Sequence, residues 1–132
     1  MRRRHLARRL VRLMEATRTG FTYDVRSGDM ATFNRDEFAV SVAGFTRCAT
    51  RIPSVVEVTV WLARTWPVVR LRGCYVGYWR DHPRGWHYLD VTVIVRGLES
   101  ALARAQAERQ CYIDDGANDR CVPVPQPVRP AA

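Results

Sequence analysis

Residues 74–95 read CYVGYWRDHPRGWHYLDVTVIV, and this stretch decides the fold. Cys74 to Arg80 and Trp86 to Val95 are two runs rich in β-branched and aromatic residues, the composition of strands. Between them, Asp81-His-Pro-Arg-Gly85 holds both Pro and Gly, the signal of a hairpin loop. Side chains alternate along a strand, so Leu89, Val91, Val93 and Val95 share one face, the expected core face. Pairing Arg80 with Trp86 sets Tyr75, Gly77 and Trp79 beside Val91, Leu89 and His87. Val76 and Tyr78 then share the opposite face with Asp90 and Tyr88. A slip of one residue would exchange the two faces.

Upstream of the hairpin, Phe21 to Arg26 alternates as a half-buried strand does, and Ser27-Gly28-Asp29 is a turn signal. Phe38 to Val42 reads as a strand with Phe38, Val40 and Val42 on one face, after a polar loop at residues 34–37. Residues 52–66 support two readings. Val56, Val58, Val60 and Leu62 alternate like a strand. Ser54 and Glu57 have capping-box spacing, and Val58, Trp61, Leu62 and Thr65 make one helical face. A helix is expected here, ended by Trp66-Pro67, because the residue before proline is pushed out of the helical region.

Downstream, Gly97 to Gln110 is an expected helix with Leu98, Ala101, Leu102 and Ala105 on its apolar stripe. Cys111-Tyr-Ile and Cys121-Val are short strands around a turn at residues 114–119. Pro123, Pro125, Pro127 and Pro130 make residues 123–132 an expected disordered tail. The whole reads as an α+β fold: one domain over residues 20–122, an antiparallel sheet with two packed helices. A basic helix over residues 1–19 precedes it.

A chain of 132 residues suits one domain, and 47% hydrophobic residues argue for a folded one. No run of about 18 apolar residues is present, so no transmembrane helix is expected. No apolar stretch follows the basic N-terminus as it would in a secretory signal, and a cytoplasmic setting is expected. Cys48, Cys74, Cys111 and Cys121 have no zinc-module spacing, and Cys74 and Cys111 stand in contexts that suit buried thiols. No metal and no cofactor are expected.

All 21 basic residues are arginine, a bias consistent with a GC-rich genome. The absence of lysine excludes Schiff bases, phosphate-loop lysines and lysine general bases. The net charge is +8, but Arg2, Arg3, Arg4, Arg8, Arg9 and Arg12 carry most of it; without them fifteen arginines face thirteen acids. Leu6, Leu10, Leu13 and Met14 fall at helical spacing among these arginines. This segment has a functional reading, attachment to nucleic acid or an anionic membrane through phosphate neutralisation. It also has two plain readings: a helix docked on the domain by its leucines, or a basic stretch upstream of a true start at Met14.

Several words of the sequence belong together: Gly20-Phe-Thr-Tyr-Asp-Val-Arg26, Phe38-Ala-Val-Ser-Val42, Gly77-Tyr-Trp-Arg-Asp81, Tyr88-Leu-Asp-Val-Thr-Val-Ile-Val95 and Gln110-Cys-Tyr-Ile-Asp114. Over residues 20–124 they resemble small uncharacterised proteins of actinobacterial phages and prophages. The resemblance implies an α+β fold, a bacterial cytoplasmic setting and a phage-derived origin, and it implies no chemistry.

Candidate sites are few. His82, His87, Asp81 and Asp90 lie near the hairpin tip, but the expected register puts His87 and Asp90 on opposite faces, so no metal site is expected. Asp114, Asp115 and Asp119 lack the full calcium-loop pattern and read as solvated turn carboxylates. Tyr78, Tyr88 and Trp86 could stack bases on an open sheet face, with Arg80 and Arg84 on phosphates. The plain alternative is that a helix covers them, or that they form a contact between two copies. The expectation is a non-enzymatic phage-type protein that binds a protein partner or itself. The alternatives are an Arg-rich nucleic-acid-binding accessory protein and a small hydrolase or nuclease.

Overall fold

A computed structural model describes residues 2–126 of the chain. The architecture is α+β, with helices packed on an antiparallel sheet. The helices are α1 (Arg3–Ala16), α2 (Val55–Val69) and α3 (Leu98–Ala107). The strands are β1 (Gly20–Asp24), β2 (Asp29–Met30), β3 (Glu37–Ser41), β4 (Arg47–Ala49), β5 (Cys74–Asp81), β6 (Trp86–Arg96), β7 (Tyr112–Asp115) and β8 (Arg120–Pro123). They run in the order β2-β1-β5-β6-β3-β7-β8, and β4 adds to the edge of β6 beyond the end of β3. The two-residue β2 and three-residue β4 carry no strand pattern in the sequence and are held by their neighbours.

The β5–β6 register is one residue away from the expected one. Asp81 pairs with Trp86, Tyr78 with Leu89 and Val76 with Val91. The connection is therefore His82 to Gly85, closed by Gly85 in the left-handed region (φ 72°) and by its N–H donating to the Asp81 carbonyl at 2.7 Å. The exchange of faces has a packing cause. In the expected register Gly77, which has no side chain, would stand on the core face beside Leu89. In the observed one Gly77 faces Asp90 on the other side, where an added Cβ would lie 2.2 Å from Thr92 Oγ1. Val76 and Tyr78 instead join Leu89 and Val91 in the core.

That core lies under α1 and α2. Leu6, Ala7, Leu10, Val11 and Met14 of α1 and Val58, Trp61, Leu62 and Val69 of α2 pack over Tyr23, Val76, Tyr78, Leu89 and Val91. The basic helix is thus docked by its apolar face, the first of its two plain readings. It is a third packed helix where two were expected. A chain beginning at Met14 would lack four of these core residues. A second cluster lies farther along the same face of β6, where Ala101 and Ala105 of α3 approach Phe38, Val40, Ile113 and Val124. Small alanines let this helix sit close to the strands.

The capping box of α2 is present, with Ser54 Oγ accepting from the Glu57 N–H and the Glu57 carboxylate accepting from the Ser54 N–H. Pro67 does not end the helix, which runs on to Val69. Both Pro67 and Ala63, whose carbonyl loses its donor to the proline, are exposed, so the lost bond is not sealed in the core. The expected tail also begins late. Pro123 closes β8, and Val124 is buried with its N–H on the Cys111 carbonyl. Residues 127–132 of the expected tail lie outside the described residues.

Candidate functional site

The helix layer presents an outer surface built from two unlike halves. On α1, burial of Leu6, Leu10 and Met14 turns Arg2, Arg3, Arg4, Arg8 and Arg12 outward, all exposed. None of the five enters an ion pair among the described residues. Arg4, Arg8 and Arg12 stand at four-residue spacing, one above another along the helix, where like charges repel. The first turn holds no acid, and the N-cap Arg2 supplies no side-chain cap. Cations there oppose the positive end of the helix dipole. Arg9 differs from the others: its Nε donates to Tyr23 Oη at 2.9 Å and its guanidinium lies over the Tyr23 ring, 5.8 Å from the centroid. Its role is to fasten α1 to β1.

On α2, the outer face is aliphatic. Val56, Val60, Ala63, Pro67 and the following Leu71 are exposed and recur at helical spacing, with Val56 68%, Val60 54% and Leu71 50% exposed. A helix covered on one side is ordinarily polar on the other; α2 carries only Glu57 and Arg64 as charged residues. Arg4 shares a shallow groove with Val55, Val56 and Val60 on one flank. Arg64 and Arg47 line a second groove beside Val60 and Trp61 on the other. Arg47 is paired with Glu57, whose carboxyl is held down at about 2, chiefly by Arg51 and by the Ser54 cap. The Arg47 Nε is buried without a hydrogen-bond partner.

The sheet face away from the helices is built differently. Trp79 stacks on Tyr88 with centroids 4.2 Å apart and planes 10° off parallel. Asp90 is 3% exposed and accepts hydrogen bonds from Ser41 Oγ (3.0 Å) and from Thr46. Burial still pushes its carboxyl up, because no cation stands beside it. Asp114 is pushed up to about 6 by burial and then by the charges of Asp119 and Asp115. The next residue of β7, Asp115, turns to the helix side with Ile113; only 2% exposed, it is held by Asn118 and Arg120 and its carboxyl is lowered. Of the three turn carboxylates, Asp115 is packed and partnered and Asp114 is half-buried, contrary to the solvated expectation, whereas Asp119 is exposed as expected.

The five residues expected to form a sheet-face site are not brought together. Tyr78 is 2% exposed beneath the helices, and Arg80 lies on the same side, donating to Tyr78 Oη at 2.9 Å and to the Met14 carbonyl at 2.7 Å. Trp86 and Tyr88 lie on the opposite face, and Arg84 sits in the hairpin loop 3.8 Å from Asp81. The one-residue register slip accounts for the separation. His87 faces Tyr78 Oη through Nδ1 at 2.7 Å; burial, then Arg80 and His82, lower its pKa. His82 meets the Arg18 carbonyl. Among the described residues, no group of three His, Cys, Asp or Glu side chains converges to hold a metal ion. Cys111 is exposed rather than buried, and Cys74 is half-buried.

The outer stripe of α2 was missed by sequence reasoning. Its signal was present in the run Val-Val-Glu-Val-Thr-Val-Trp-Leu-Ala-Arg-Thr-Trp-Pro-Val-Val, which holds more apolar residues than one buried face can use. No family model, curated protein or solved structure matches this chain.

Proposed function

We propose that this is a non-enzymatic protein of phage or prophage type that works in the bacterial cytoplasm by binding an anionic partner through α1. One observation carries the reading: α1 spends its apolar face on the core and displays five arginines outward, with no acid before Glu15 in its last turn. Mutual repulsion and the helix dipole both disfavour that display in the isolated protein. An anionic partner removes both penalties. The phage origin rests on the resemblance over residues 20–124.

The test is retention on immobilised heparin, used as a generic polyanion. Full-length protein should elute at high salt. A variant with Arg2, Arg3, Arg4, Arg8 and Arg12 all changed to Gln, whose net charge falls from +8 to +3, should elute at much lower salt. Equal retention of the two forms would refute the reading.

A further inference from the structure

We infer that the partner of the α1–α2 surface is an anionic lipid bilayer, with the arginines on headgroup phosphates and the α2 stripe dipped beneath them. This rests on the anionic-partner reading above and adds the aliphatic half of the surface. Two independent observations meet here. The arginines of α1 require negative charge. The stripe Val56, Val60, Ala63, Pro67 and Leu71 requires an apolar phase, and arginines border it on both sides: Arg4 on one flank, Arg64 and Arg47 on the other.

A bilayer surface offers both in the right order, phosphates outside and hydrocarbon within. Interfacial anchoring takes two signals, and a polybasic patch with an apolar helix face supplies them. Nucleic acid offers the phosphates but nothing for exposed valines, and its bases are met by aromatic or hydrogen-bonding side chains. Protein interfaces centre on aromatic and arginine anchors. The exposed aromatics of this molecule, Trp86 and Tyr112, lie on the opposite side of the sheet. No helix of the described residues is long and apolar enough to cross a membrane, and α2 at 15 residues falls short of the ~20 needed to span, so the surface lies along the bilayer. Long arginine stems beside the valines can bury their methylenes while the guanidinium stays at headgroup level.

The experiment is co-sedimentation of full-length protein with vesicles of phosphatidylcholine mixed with phosphatidylserine, against phosphatidylcholine alone, in parallel with titration of a short DNA duplex. Protein should pellet with the mixed vesicles and stay in solution with the neutral ones. Each Arg→Gln change at Arg2, Arg3, Arg4, Arg8 or Arg12 should weaken vesicle binding about fivefold. The triple variant Val56→Ser, Val60→Ser, Leu71→Ser should weaken it at least about tenfold while leaving heparin retention unchanged. Val56→Ser alone, at the most exposed of the three, serves if the triple variant melts early.

If the duplex binds and the vesicles do not, the bilayer inference is overturned while the anionic-partner reading stands. Five arginines would then give a log–log salt slope of up to about −4.5. Vesicle binding that is indifferent to the stripe variants also overturns it. If neither heparin nor vesicles retain the protein, both readings fall.

Discussion

The two outward surfaces of this molecule differ in whether their side chains already have partners. On the open face of the sheet, Trp79 lies on Tyr88, Asp90 accepts from Ser41 and Thr46, and Asp81 and Asp36 each meet an arginine. On the helix layer, the five outward arginines of the α1 segment and Val56 and Val60 of α2 face solvent, and no ion pair among the described residues involves an arginine of α1. A surface whose polar groups are satisfied internally has little to gain from a ligand. A surface that displays repelling charges and uncovered aliphatics gains on both counts. Changes on the buried side of α1 should therefore cost stability, changes on its outer side should cost binding, and changes on the sheet face should act on stability alone.

The largest effect is expected from removing residues 1–13. This takes Leu6, Ala7, Leu10 and Val11 out of the core. At roughly 1.5–3 kcal/mol for each large apolar side chain, the loss is comparable to the whole stability of a small domain. A chain beginning at Met14 should show no cooperative thermal transition. A melt within a few degrees of full-length protein would break the contrast, because α1 would then be an appendage on both of its faces.

Next in size is Gly77→Ala on the sheet face. Its Cβ would lie 2.2 Å from Thr92 Oγ1, inside a β5–β6 ladder that cannot move aside. Overpacking of this kind costs about 1–3 kcal/mol. Adding Thr92→Ala removes the clashing oxygen and should recover most of the loss in denaturant melts. Failure of the second change to rescue would mean that Gly77 is kept for its backbone rather than for space.

Much of this arrangement was legible in the sequence, and the parts that were not share a cause. Local signals gave the hairpin, the capping box at Ser54 and Glu57, and the leucine spacing of α1, because each depends on a few neighbouring residues. The register of β5 against β6 depends on which of two alternating faces meets the helices. Both faces carry large side chains, Tyr75 and Trp79 on one and Val76 and Tyr78 on the other, so composition alone did not choose between them. The choice falls on Gly77, which only one face can accommodate. The edge strand β4 and the two-residue β2 exist through partners distant in sequence. The continuation of α2 through Pro67 depends on the exposure of one carbonyl, which local rules cannot see. The candidate site followed the same division: the α1 arginines were visible as a charge run, and the α2 stripe became visible only once one face of that helix was known to be covered.

The sheet face also makes a pH-dependent prediction. Asp114 is pushed from 3.8 to about 6 in the folded chain. The native state therefore holds more protons than the unfolded state between these values, and stability falls as pH rises through about 4 to 6. Asp114→Asn removes the buried charge. It should stabilise the protein at pH 8 by on the order of 1–2 kcal/mol, allowing for the partial exposure of the group. Below about pH 4, where the carboxyl is protonated in both states, the gain should vanish. Thermal melts of both forms across this range decide the matter. A gain that persists undiminished at low pH would show that packing, not charge, is what Asn improves.

The smallest effect concerns the outer face of α1, and it is the sharpest test of the contrast. Replacing Arg2, Arg3, Arg4, Arg8 and Arg12 by Gln removes no buried atom, since all five side chains are exposed. It also relieves the repulsion along Arg4, Arg8 and Arg12 and the cations at the N-terminal end of the helix. Each relief is worth a few tenths of a kcal/mol. The variant should melt at the same temperature as the parent or slightly above it at low salt, and the difference should shrink as salt screens both. Arg9, which holds Tyr23 and the Gly28 carbonyl, should behave oppositely and lower the melting temperature when changed to Gln. If the five-site variant is instead clearly destabilised, the arginines have structural partners within the chain, and their display calls for no anionic partner.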